Sequence, residues 1–125
     1  MIAHITLLVP DYDAGIAFYV EQLGFALLED TELSAAKRWV RVAPPGAETA
    51  LLLAKAEGPE QVAALGNQTG GRVGFFLQTD DFDRSHAAMQ AAGVAFRETP
   101  RREPYGTVAV FSDPWGNLWD LIEPA

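Results

Sequence analysis

The chain has 125 residues, 49% of them apolar and 21% charged, which is enough for one domain with a buried core and excludes a wholly disordered chain. It contains no cysteine, so disulfides, thiolate metal sites and cysteine nucleophiles are ruled out, and any metal would depend on carboxylates and two histidines, His4 and His86. Seventeen acidic against nine basic residues give a net charge of −8, which repels nucleic acid phosphates and anionic membrane surfaces.

The apolar run from Ile5 to Val9 opens the chain as a strand and leads into an acidic turn, Pro10-Asp-Tyr-Asp13, with an aromatic inside it. Ile16, Tyr19, Val20 and Leu23 then recur at helical spacing, with Asp11 as N-cap and Gly24 as stop. Three extended segments follow: Phe25 to Glu29, Arg38 to Ala43 and Ala50 to Lys55, the last two joined by the turn Ala43-Pro-Pro-Gly46. Gly58 to Gly71 reads as a linker with one short helix from Pro59 to Leu65.

The pattern then repeats. Residues 72 to 125 lay over residues 2 to 58, so that Gly74-Phe-Phe-Leu-Gln-Thr-Asp-Asp-Phe-Asp matches His4-Ile-Thr-Leu-Leu-Val-Pro-Asp-Tyr-Asp. A second helix carries Phe82, Met89 and Ala92, capped by Asp81 and ended by Gly93. Extended segments follow at Val94 to Glu98, Thr107 to Ser112 and Leu118 to Glu123, the last two joined at Asp113-Pro-Trp-Gly116. Each half therefore reads β-α-β-β-β. The expected organisation is one domain over 1–125, with unit one at 1–57, a linker at 58–71 and unit two at 72–125. No apolar run approaches the ~20 residues of a membrane span, and no basic-then-apolar leader follows Met1, so the cytoplasm is the expected location.

The doubled unit, opening on His4-Ile-Thr-Leu-Leu-Val-Pro-Asp, Ala17-Phe-Tyr and Leu23-Gly-Phe and closing on Asp113-Pro-Trp-Gly-Asn-Leu-Trp-Asp, resembles the vicinal oxygen chelate superfamily. This is the glyoxalase, bleomycin-resistance and extradiol dioxygenase group. The resemblance implies an α+β fold in which two βαβββ units form a curved mixed-sheet cup with helices on its outer face. It also implies homodimers and a site on the concave face. Metal-dependent members take ligands from the first strand of each unit, usually His, and from the last strand, usually Glu. Here those positions hold His4, Leu52, Gly74 and Asp120, so two of four donors survive. Glu48 lies four residues before Leu52, about 13 Å along an extended strand; His86 belongs to the outer helix layer, and Glu123 has the opposite parity to Asp120.

These positions leave the metal site degenerate, with no cofactor expected. The leading reading is a small-molecule binder; the alternative is a lyase, isomerase or dioxygenase-like enzyme working through His4 and Asp120 with a weakly held divalent ion. His4 is either a proton-transfer group in the cavity or a side chain bonded to the opposing strand. Asp120, in the apolar strand Leu118-Trp-Asp-Leu-Ile, needs solvent or a partner to stay ionised, and His4 is one such partner. Trp39 and Arg41 share a strand face; Leu52, Gly74, Phe76 and Gln78 are lining candidates, Tyr105 a rim residue, and Phe111 the matching face of unit two. A cup lined by Trp, Arg and Phe suits a flat ligand bearing an anionic or carbonyl group. The pair Arg101-Arg102 meets an anionic ligand or is solvated loop charge. Gly-rich phosphate loops, Gly-x-Ser-x-Gly elbows and paired zinc-protease histidines do not occur in the chain.

Overall fold

In β1 (His4–Val9) the side chains alternate, and Leu7 and Val9 are fully buried while Ile5 stays half exposed. Asp11 then caps α1 (Tyr12–Ile16), its carboxylate accepting from the Ala14 N–H at 2.8 Å. The helix continues as a π-helical turn, Ala17–Gln22, closed by the Leu23 N–H to the Phe18 carbonyl at 2.8 Å. That widened turn changes the expected inward face. Tyr12, Gly15, Phe18 and Tyr19 are buried, whereas Ile16, Val20 and Leu23 are only half buried. Gly15 is where helix meets sheet: a Cβ there would lie 3.0 Å from both Leu53 and Val9.

The computed structural model describes residues 1–125, which divide into two compact units, Met1–Leu65 and Gly66–Ala125. In the first, β2 (Ala26–Glu32), β3 (Arg38–Ala43) and β4 (Ala50–Lys55) join β1 in a sheet ordered β1-β4-β3-β2, with β1 parallel to β4 and the other pairs antiparallel. Leu7, Val9, Val40, Val42, Leu51 and Leu53 face α1 and form the core. Arg38 ties three elements together, pairing with Asp13 at 2.8 Å and Asp30 at 2.7 Å, with its guanidinium 5.4 Å from the Tyr12 ring centroid. A short helix, α2 (Gly58–Ala64), ends this unit and buries none of its residues.

The second unit repeats the plan with β5 (Val73–Gln78), α3 (Phe82–Ala91), β6 (Ala95–Phe96), β7 (Arg101–Glu103), β8 (Gly106–Ser112) and β9 (Leu118–Pro124). Its sheet runs β5-β9-β8-β6, and β7 also pairs with β8. The architecture is α+β, two βαβββ units with mixed open sheets, as the sequence predicts. One strand departs from the plan: the second extended segment of this unit is split into β6 and β7. Glu98 explains the break, because its carboxylate accepts from the Val110 N–H at 2.9 Å, where a ladder carbonyl would otherwise sit. Asp81 caps α3 through the Arg84 N–H, and Glu123 accepts from the Phe82 N–H at 2.7 Å. Both long helices stop at a glycine with positive φ, Gly24 at 83° and Gly93 at 88°.

Candidate functional site

Each sheet has one face under its helix and one open face, and strand register decides which residues the open face receives. In the first unit Thr6, Leu52, Arg41 and Glu29 form one row across all four strands. His4 lies on the same face, and its ring meets Trp39 edge-on at 5.6 Å between centroids and 84° between planes. His4 and Trp39 come from strands that are not neighbours, so the two rings reach each other over the strand between them. Arg41 is held by Glu29 at 3.2 Å, and both side chains keep partial access to solvent. The Nδ1 atom of His4 is buried and has no hydrogen-bond partner. A separate cavity of about 210 Å³, lined in part by Asp11, Tyr12, Asp13, Glu32, Arg38 and Lys55, lies by the start of α1 and contains none of the predicted site residues.

In the second unit the equivalent row is Phe76, Asp120 and Val110. Along β9, Leu118 and Ile122 share the face of Asp120, so its carboxyl is surrounded by apolar side chains on a central strand. Asp120 Oδ1 is buried without a partner. Burial pushes the Asp120 carboxyl above its usual range, Arg101 pulls it back, and Glu98 adds to the rise. Arg101 is already taken: Nε reaches both Glu98 oxygens at 3.1 Å and Nη1 reaches Glu103 at 2.9 Å. Phe76 is 66% exposed and Gln78 is also exposed. Tyr105, 55% exposed, sits in the β7–β8 turn, where its carbonyl accepts from the Ala125 N–H at 3.0 Å.

Two predicted positions need correction. Phe111 is not on the open face: it pairs with Trp119, is fully exposed to no solvent at 0%, and stacks on Trp119 at 5.7 Å and against Phe96 at 5.6 Å under the helix. The cause is a one-residue offset in the repeat. Leu52 faces Arg41 in the first unit and Asp120 faces Val110 in the second, so Arg41 corresponds to Val110 and the whole β8 face is inverted. Gly74 falls in a β-bulge between Val73 and Phe75, and a Cβ there would meet the Thr69 methyl at 2.5 Å, so it is packed rather than open for a ligand. His86 stacks on Phe82 and meets Phe96 edge-on, outside the open face as expected.

The sequence reading missed Glu29, Glu98 and the role of Arg101. Glu29 meets Arg41 only because a bulge between Leu27 and Glu29 shifts the edge register, which no local pattern encodes. The three-residue spacing of Glu98 and Arg101 was the available signal for the second cluster. No group of three or more His, Asp or Glu side chains that could hold a metal ion occurs in either unit.

Residues 1–121 match the family described as Glyoxalase/Bleomycin resistance protein/Dioxygenase superfamily. The chain belongs to this superfamily. An uncharacterised protein of Shewanella frigidimarina is 54% identical over 124 residues, 98% of this chain and 92% of that protein. Among solved structures, TnmS3, an antibiotic binding protein from Streptomyces sp. CB03234, is 36% identical with a TM-score of 0.80, covering 100% of this chain and 96% of its own. A glyoxalase/bleomycin resistance protein from the same organism is 37% identical with a TM-score of 0.74, covering 98% of this chain and 99% of its own. No helix is long and apolar enough to cross a membrane.

Proposed function

We propose that this superfamily member is a small-molecule-binding protein that holds a flat aromatic ligand without a tightly bound metal. The observation that carries the reading is the open face of the first sheet, where the His4–Trp39 pair borders Arg41 and the family's carboxylate position is the apolar Leu52. Trp39 offers a stacking edge, Leu52 an apolar floor, and Arg41 a fixed donor for a carbonyl or anionic group. The likeness to an antibiotic binding protein points the same way.

The donor set does not fit the family's divalent ion. Of the four ligand positions, two in each unit, His4 is the single donor in the first unit and Asp120 the single one in the second, against the three or more protein ligands of dedicated zinc sites. A homodimer and a cytoplasmic location complete the reading; both follow from the family resemblance and the sequence rather than from geometry.

A second reading rests on the two orphaned buried atoms, His4 Nδ1 and Asp120 Oδ1. Unpaired titratable groups on open faces suit proton transfer to a small oxygenated substrate. Tryptophan-fluorescence titration with daunorubicin, 9-aminoacridine and riboflavin separates the two. The binding reading expects saturable quenching by at least one probe that survives chelator, and a loss of about tenfold or more in affinity in Trp39→Ala. Near-stoichiometric metal bound at His4 and released by chelator with loss of a chemical turnover would replace it with the enzyme reading.

A further inference from the structure

We propose that Asp120, with Phe76 beside it, is the cation-recognising point of the open face of the second unit, and that the ligand carries a protonated amine attached to a flat aromatic system. The inference rests on the small-molecule-binding reading above and narrows its ligand class. In the middle of the sheet, between Phe76 and Val110 across the strands and Leu118 and Ile122 along its own, the half-buried Asp120 has one carboxylate oxygen, Oδ1, that is cut off from solvent without gaining a donor. Such a group is expensive unless something completes it.

Arg101, the cation that acts on Asp120, is committed elsewhere. Arg101 makes three charge-assisted bonds to Glu98 and Glu103, and Glu98 is pinned in turn by the Val110 N–H. Arg97, on the same side of the sheet, gives its Nε to Ser112 at 2.9 Å. Turning Arg101 onto Asp120 would break a bidentate pair to mend a single contact. A donor that brings its own positive charge from outside therefore completes Oδ1 most favourably. Phe76 supports this, since a largely exposed ring next to an unpaired carboxylate supplies both a stacking surface and a π face for the cation.

The test is calorimetric titration of the full chain with daunorubicin and its N-acetyl derivative, which differ at the amine and in charge but share the aromatic system. At pH 7.5 the amine form is expected to bind about tenfold or more tightly. Asp120→Asn, which keeps the shape, should equalise the two probes, while Phe76→Ala weakens both. Equal affinities in the wild type, or a preference that survives Asp120→Asn, would overturn the proposal and leave the binding reading standing. Absence of binding by these two and by the neutral aromatic probes would overturn both.

Discussion

Replacing Asp113 should cost more stability than any other single change at a polar residue in the second unit. Asp113 is 2% exposed and closes the β8–β9 turn: Oδ1 accepts from the N–H groups of Trp115 at 3.1 Å, Gly116 at 3.0 Å and Asn117 at 2.9 Å, and Oδ2 accepts from Asn117 Nδ2 at 2.6 Å. Hydrogen bonds to a charged group are worth about 1.5–3 kcal/mol each, and donors left unpaired in a buried turn cost about 1–3 kcal/mol each. Water recovers part of this and the four bonds act as a unit, so Asp113→Ala is expected to lose about 3–5 kcal/mol. At roughly 4 °C per kcal/mol for a chain of this size, the midpoint should fall by about 12–20 °C. Asp113→Asn should lose less: its amide oxygen still accepts from the backbone, but its NH₂ confronts Asn117 Nδ2. Urea unfolding followed by circular dichroism measures both. A loss below about 1 kcal/mol in Asp113→Ala would refute the reasoning that a desolvated carboxylate holds the turn. The turn also fixes Ser112 opposite Leu118, and a slip of one residue there would carry Asp120 to the helix side.

Two further outcomes are expected. Phe111→Leu should destabilise by about 1–2 kcal/mol through the space left beside Trp119 and Phe96, yet leave daunorubicin affinity unchanged, since the ring lies under the helix; denaturation and the binding titration together check this. The hydrogen bond from Arg38 lowers the Asp30 carboxyl below its usual range, so its contribution is full above about pH 4 and lost as pH falls through the lowered value. Both side chains are partly exposed, so Asp30→Asn should cost at most about 1 kcal/mol at neutral pH, and the difference from wild type should close in acid.

Much of the fold is written locally. Asp11 and Asp81 cap as their positions imply, Gly24 and Gly93 end their helices, and both Pro-Gly turns connect antiparallel strands. The parity of β1, β3, β4 and β9 is also legible, which is why His4, Trp39, Arg41, Leu52 and Asp120 appear on open faces. What was not legible depends on register between strands. Phe111 was placed by matching β8 to β3 residue for residue, and one residue of offset sends an aromatic from ligand face to core. The bulges at Leu27/Glu29 and Val73/Phe75 are similar, because an extra residue on one strand shows itself only against its neighbour. The π-helical turn in α1 had no composition signal either, and it exchanged Ile16 for Phe18 in the core.

Helix α2 contributes nothing to any core, while Gly66, just beyond it, is pressed so closely on the Trp115 carbonyl that a methyl group there would overlap it. Cleaving the backbone within α2 would therefore leave each fragment with its own sheet and long helix intact, and the second with its clasp still fastened. The chain thus carries a natural seam between its two compact units, at which a cut separates the His4 face from the Asp120 face.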